Sequence, residues 1–400
     1  MNSEASESAG LVLWASALAL LNSSFTPFFH SVLREYLQEN EVERFIRHTV
    51  IHNFVPIVAR VCTSAEKQLL GLLDLDALNQ AYVKFNEVFL DSFHTVSRRF
   101  TDAGINFGVL KGLDLLSSTY PKGMPRAMCD IDLIVREQHV VDAQRIFLEA
   151  GFTQGVLHWG PDPGKESSLA TASDGSAPFR GQFLYMIEPV NASAQSNRYE
   201  LPPFFKRVAI ANSEFDDVEA IARWLAGDYQ VLLSGENVEL VVGYDVHYGV
   251  LVGYSQLDLW SRMRAGSLHD GTPFIGQQFT DLLFLLLTRA YSELMTLNET
   301  NLRIYLDALM VLAVHSDAID WEHLTILATK YGMQCPVFYT LFHARNVLGD
   351  VVPLDLLQSL RPNEPYINRM TDHGDFLPKL LGSWACATTP VSLETMADYM

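Results

Sequence analysis

Two aspartates, Asp130 and Asp132, are the residues of this chain whose type and spacing best fit catalysis. Apolar and acidic residues alternate over residues 129–135 as in a β-strand, so both carboxylates project from the same face. Two carboxylates that close repel each other unless a cation lies between them. Mg²⁺ prefers oxygen ligands and usually takes only one or two carboxylates, which leaves positions for water and phosphate. The pair therefore predicts a Mg²⁺ site for phosphate chemistry, to which a third carboxylate would admit a second metal ion.

A turn that precedes these aspartates has residues suited to phosphate binding. Residues 105–110 are short, apolar and typical of a strand, and residues 112–120 are typical of a short helix. Lys111 and Gly112 lie between them, where a backbone can approach a phosphate closely and a helix N-terminus can face it. The chain has another Asp-x-Asp pair, Asp74 and Asp76, in a helical segment without such a turn, and we assign it no role.

The remaining pattern predicts helical regions on both sides of a small α/β unit. Up to residue 103 the sequence is typical of helices, most clearly at 82–103, where apolar residues recur at helical spacing. Strand, helix, strand and helix then follow over residues 105–150. Residues 155–181 are rich in Gly, Ser, Pro and Asp and predict a long loop, with strands expected at 182–188 and 237–248. From about residue 255 onward we expect helices.

Composition limits the partners and the compartment. The chain has 28 Lys and Arg against 47 Asp and Glu, a formal net charge of −19, which makes nucleic acid an unexpected partner. The four cysteines are scattered, as in a cytoplasmic protein without disulfides. The apolar segment 11–21 follows two glutamates and no basic residue, so we expect a core helix there instead of a secretory signal. We predict a cytoplasmic protein without a membrane partner.

These residues together resemble a known family. The segment Leu110-Lys111-Gly112, then Arg126 and Asp130-Ile-Asp132-Leu-Ile-Val, is similar to the uncharacterised nucleotidyltransferase family of the DNA polymerase β-like superfamily. The downstream similarity includes Asp245-Val-His247-Tyr, Leu259-Trp260, the apolar segment beginning at Asp281, Arg303 with Asp307, and Asp320-Trp321. It extends over most of residues 105–335, and its most specific part is the Lys-Gly and Asp-x-Asp segment.

The resemblance implies a site made of three acidic residues. Asp130, Asp132 and Asp245 would be the catalytic residues and the ligands of Mg²⁺ or Mn²⁺. Glu239, which has the same strand parity, and Glu188 are alternatives for the third carboxylate.

Other residues would serve the nucleoside triphosphate. Lys111 and Gly112 stand where superfamily members carry Gly-Ser or Gly-Gly, so Lys111 would take part in phosphate binding. Arg126 would bind the triphosphate or form an ion pair with the following strand. His247 would contact substrate, orient a carboxylate, or be a hydrogen-bonded core residue.

The fold expected is α+β, with a polymerase β-like nucleotidyltransferase core on a mixed sheet. We expect a helical region at 1–103, the core at 104–254 with an insertion around 155–235, and a helical domain at 255–400. The function expected is Mg²⁺-dependent transfer of NMP, AMP in the first instance, to a hydroxyl or phosphate of a small molecule or peptide, with release of pyrophosphate. The alternatives are a non-catalytic peptide- or nucleotide-binding regulator and a toxin-like transferase that modifies protein or RNA.

Overall fold

The computed structural model describes residues 3–160, 183–189, 200–225, 231–248, 256–292 and 302–361. The chain forms two compact units: one is Leu73–Gln277, and the other combines Asn2–Leu72 with Gln278–Met400. The first contains a mixed sheet, and the second is helical in its described part. The three-part division predicted from the sequence stays a prediction.

The N-terminal part of the helical unit consists of short and medium helices. In chain order they are α1 (Ser3–Leu21), α2 (Thr26–Glu39), α3 (Val42–Ile51), α4 (Val55–Val61) and α5 (Ser64–Leu69). The apolar segment near the N-terminus lies in α1 and is buried, with Leu13 and Trp14 at most 1% exposed. The prediction of a core helix there is confirmed. Among the described residues, no helix has the length and apolar character needed to cross a bilayer.

The sheet-containing unit begins with the long helix α6 (Asp74–Asp102). The elements that follow are β1 (Phe107–Leu110), α7 (Gly112–Ser118), β2 (Asp130–Val135), α8 (Val140–Glu149), β3 (Thr153–Gly160), β4 (Phe183–Pro189), β5 (Phe204–Ala211), α9 (Val218–Trp224), β6 (Val231–Ser234), β7 (Asn237–His247), α10 (Gln256–Ser261), β8 (Met263–Ser267) and β9 (Pro273–Gln277). The predicted order of strand, helix, strand and helix over residues 105–150 is thus confirmed.

The sheet is mixed, as predicted. Its strand order is β4-β3-β5-β7-β2-β1-β9-β8, with β6 paired to β7. The pairs β2–β7 and β1–β9 are parallel, and the other pairs are antiparallel. Strands β2 and β7, which carry the predicted acidic residues, are therefore neighbours near the middle of the sheet.

Two local predictions need correction. Residues 155–160 were expected in a long loop, but they belong to β3, which pairs with β4; the rest of that loop, residues 161–181, lies outside the described residues. The chain beyond residue 255 was expected to be helical, but β8 and β9 form a hairpin there whose second strand pairs with β1. Both strands contain a glycine, Gly266 and Gly276, and glycine weakens the sequence signal of a strand.

An aromatic core covers the face of the sheet opposite the predicted acidic residues. The Phe147 ring of α8 lies 4.6 Å from Phe204, 4.9 Å from Tyr244 and 5.6 Å from Phe100 of α6, between ring centroids. Tyr244 directly precedes Asp245 on β7, so their side chains point to opposite faces. Burial of the aromatic face thus fixes which side of the sheet the carboxylates occupy.

The described C-terminal residues of the helical unit, 279–292 and 302–361, contain five further α-helices. They are α11 (Phe279–Ser292), α12 (Leu302–His315), α13 (Trp321–Lys330), α14 (Gln334–Leu348) and α15 (Leu354–Leu360). Asp320 caps α13 by accepting a 2.9 Å hydrogen bond from the His323 backbone N–H.

Candidate active site

Three side chains from neighbouring parallel strands converge on one face of the sheet. In the β2–β7 register Asp132 lies beside Asp245, and Ile134 lies beside His247. Asp132, Asp245 and His247 each offer a ligand atom, and these atoms all lie within 4.8 Å of one another. Asp130 precedes Asp132 by two residues on the same face, beside Gly243. The structure thus brings Asp132 and Asp245 together, with Asp130 next to them.

The two alternative third carboxylates lie elsewhere. Glu239 is six residues from Asp245 on the same strand, about 20 Å away at the usual rise per residue, and its Oε2 lies 3.7 Å from Arg207 Nη1. Glu188 is on β4, whose backbone lies three strand spacings from β7, about 14 Å; its side chain lies outside the described residues. Of the three candidates, Asp245 is the one placed beside Asp132.

Asp132 is surrounded by positive and hydrogen-bonding groups. Its Oδ1 atom accepts a 2.7 Å hydrogen bond from Lys111 Nζ and lies 3.0 Å from His247 Nε2. Burial alone would raise the pKa of Asp132, but the charge of Lys111 and the contact with His247 outweigh it and hold the pKa well below its usual range. Asp132 is therefore ionised at neutral pH.

Asp245 has the opposite electrostatic environment. Burial raises its pKa to about 7, and the negative charges of Asp130, Asp132 and Glu200 add to that rise. Burial is the main cause of this rise, and the three nearby carboxylates add negative charge that a bound cation would balance. A divalent cation supplies that balance, and the carboxylate oxygens are suitable ligands for Mg²⁺ or Mn²⁺. The residues present therefore fit the metal that the sequence predicts.

Lys111 reaches the site from an unusual backbone conformation. Its φ is 48° and its ψ is −113°, in the positive-φ region that non-glycine residues rarely adopt. It follows Leu110, which pairs with Asp132 in the sheet, and it precedes the first turn of α7. The β1–α7 turn thus places the Lys111 ammonium against Asp132. The predicted phosphate ligand contacts the predicted metal ligand.

Arg126 and Gly112 pack together next to this turn. A Cβ on Gly112 would lie 3.1 Å from Arg126 Nη1, so the missing side chain gives the guanidinium its room. Arg126 is buried, and its guanidinium carbon lies 5.9 Å from the centre of the Tyr120 ring. Asn86 of α6 fixes the Arg126 backbone by donating a 2.8 Å bond to its carbonyl and accepting a 2.9 Å bond from its N–H.

The two hydrogen bonds between the Asn86 side chain and the Arg126 backbone lead to a stability prediction. Asn86→Ala should lower the free energy of unfolding by about 2–3 kcal/mol, because it leaves two backbone groups buried without their partners. Urea denaturation measures the change. The control is Asn212→Ala, which removes a single exposed side-chain bond of 3.4 Å and should cost under about 1 kcal/mol. Equal losses in the two variants would contradict the anchoring role of Asn86.

Two parts of the site were not among the residues singled out as catalytic, metal-binding or cofactor-binding. His247 shares the strand parity of Asp245, and that spacing is the sequence signal for its place beside Asp132. Glu200 pairs by an isolated bridge with His247, and its Oε2 lies 4.0 Å from His247 Nδ1. Glu200 is 47 residues earlier in the chain and has no sequence signal, because only the pairing of the backbone brings it there.

Comparison with known protein families agrees with this geometry. Residues 38–349 match the family described as uncharacterised nucleotidyltransferase. No curated protein and no solved structure matches the chain.

Proposed function

The chain belongs to the uncharacterised nucleotidyltransferase family and is a transferase enzyme, and we propose that it moves NMP from a nucleoside triphosphate to an acceptor oxygen with release of pyrophosphate. AMP is the group we propose first. The observation that carries the proposal is the convergence of Asp132 and Asp245 on adjacent parallel strands, with Asp130 beside them.

The acceptor is a small molecule or a peptide under this proposal. The formal net charge of −19 disfavours a polynucleotide, since binding to nucleic acid depends on Lys and Arg replacing its counterions. A neutral or cationic acceptor meets no such barrier. A hydroxyl or a phosphate oxygen of that acceptor is the nucleophile.

The acidic residues hold the metal in the proposed mechanism. Asp130, Asp132 and Asp245 would be its ligands, and His247 would either join them or keep the Asp132 carboxylate in place. A divalent cation in such a site stabilises the charge of the triphosphate and of the departing pyrophosphate. Because an imidazole lies within the group, Mn²⁺ is to be tested beside Mg²⁺.

The remaining residues bind and orient the substrates. Lys111 contacts the triphosphate, Gly112 allows its close approach, and Arg126 supports the turn or contributes its charge. The acceptor oxygen bonds to the α-phosphorus while the bond from that phosphorus to the α–β bridging oxygen breaks. Asp245 takes up the acceptor proton as the new bond forms.

The position of a radioactive label tests the reaction type. The full-length protein is incubated with Mg²⁺ or Mn²⁺, a panel of hydroxyl- and phosphate-bearing acceptors, and ATP labelled at either the α- or the γ-phosphate. We expect the α-label in the acceptor product and the γ-label in pyrophosphate. Asp132→Asn should lower transfer by about a thousandfold. The γ-label in the acceptor, or equal transfer by Asp132→Asn, would refute the proposal.

A further inference from the structure

Lys111 and His247 meet at a single oxygen of the predicted metal site. Asp132 Oδ1 lies 2.7 Å from Lys111 Nζ and 3.0 Å from His247 Nε2. The Lys111 side chain is 14% exposed and the Asp132 side chain 6%, so the pair is largely withdrawn from solvent. A charge-assisted bond of this length in such surroundings competes with any other cation for the Asp132 carboxylate.

The backbone holds the Lys111 ammonium in this position. A positive φ at a non-glycine residue is strained and persists only where the surrounding structure imposes it. On one side Leu110 is paired with Asp132 in the sheet. On the other side α7 is fixed by its buried Asp114, which forms an ion pair with Arg264 of β8. The strained backbone at Lys111 thus holds its side chain against Asp132, a predicted metal ligand.

We propose that the Lys111 ammonium is the cation that occupies the metal site when no metal is bound. It neutralises Asp132 in that state, and a divalent cation displaces it from Asp132. The inference rests on the proposed function and deepens it. Once released from Asp132, the ammonium is free to contact the triphosphate beside the same turn. Metal alone therefore binds weakly, because it displaces Lys111, and binds more tightly when a triphosphate receives the displaced ammonium.

Mn²⁺ binding without nucleotide tests this competition. Free Mn²⁺ is measured by electron paramagnetic resonance during titration of the full-length protein, as wild type and as Lys111→Met, Lys111→Arg and Asp132→Asn. Lys111→Met should bind Mn²⁺ about tenfold more tightly than wild type, since a positive charge beside the ligand is removed. Lys111→Arg should bind like wild type, and Asp132→Asn should bind far more weakly.

A matched control separates competition from a general charge effect. Lys206→Met removes one positive charge from β5, where Lys206 Nζ donates a 2.9 Å bond to the Ala150 carbonyl. It should leave Mn²⁺ affinity unchanged. If Lys111→Met does not fold, Lys111→Gly removes the same charge and relieves the positive φ, and the same gain in affinity is expected.

A second measurement follows the link to nucleotide. A non-hydrolysable ATP analogue should increase Mn²⁺ affinity in wild type, and by a much smaller factor in Lys111→Met. Equal Mn²⁺ affinity in wild type, Lys111→Met and Lys111→Gly would overturn the role of Lys111 and leave the proposed function standing. Wild-type affinity in Asp132→Asn would instead contradict the metal site on which the proposed function rests.

Discussion

Asp245→Asn should lower the rate of nucleotidyl transfer by about a thousandfold or more, while Glu239→Gln keeps a rate near that of wild type. Both residues are acidic, lie on β7 and share its strand parity. Asp245 lies beside Asp132 and has a ligand atom within 4.8 Å of both Asp132 and His247. Glu239 is six residues away and lies near Arg207. The comparison therefore tests position on the strand, because the change of charge is the same.

The loss in Asp245→Asn should come from metal binding and proton transfer and not from unfolding. Asparagine has nearly the same shape, and burial already raises the pKa of Asp245 to about 7, so neutralising it removes a costly buried charge. We expect the thermal unfolding temperature to be unchanged or higher than that of wild type. Steady-state transfer, Mn²⁺ affinity and thermal unfolding are measured on both variants. A normal rate in Asp245→Asn together with a large loss of rate in Glu239→Gln would show that Glu239, and not Asp245, is the third carboxylate.

The sequence was informative about this site where the signal is local. Alternation over residues 129–135 places Asp130 and Asp132 on one face, and the structure forms β2 over that segment. The Lys111-Gly112 turn between a short strand and a short helix is likewise found at β1 and α7. Such features depend on neighbours in the chain, so a pattern of residue types is sufficient to predict them.

The sequence was less informative where pairing between distant segments decides the structure. β9 forms because it pairs with β1, more than 150 residues earlier, and its own residues carry a weak strand signal. Glu200 reaches His247 for the same reason. Strand parity places Asp245 and Glu239 on the same face of β7, so it does not decide which of them is the third carboxylate. The register of β7 against β2 does, because it places Asp245 beside Asp132. Register depends on burial of the Tyr244 face, which no single segment reveals.

Asp114→Ala should lower the free energy of unfolding by about 3–5 kcal/mol, because it leaves the Arg264 charge buried without its carboxylate. The Asp114 side chain is fully buried and that of Arg264 is 13% exposed. Asp114 also fits closely against β9, since a Cβ on Gly276 would lie 2.7 Å from its Oδ2. The ion pair thus joins α7 to the β8–β9 hairpin, and α7 is the helix that Lys111 precedes.

Arg264→Met should destabilise the protein in a pH-dependent manner. Burial raises the pKa of Asp114 to about 6 even with Arg264 present, and loss of the guanidinium should raise it further. A carboxyl whose pKa is higher in the folded than in the unfolded state contributes stability at low pH and loses it as pH rises through the folded value. The difference in unfolding free energy between wild type and Arg264→Met should therefore grow from pH 6 to pH 8.

The double variant Asp114→Leu/Arg264→Met distinguishes a charge effect from simple damage to packing. Replacing both partners by apolar side chains of similar size leaves no buried charge, and it should recover most of the stability that Asp114→Ala loses. Urea denaturation at pH 6 and pH 8 measures all three variants. If the double variant is as unstable as the single ones, packing against Gly276, and not charge, is the main contribution of Asp114. In the double variant an apolar contact replaces the ion pair between α7 and β8. The Mn²⁺ affinity of this variant then shows whether α7 still holds Lys111 against Asp132.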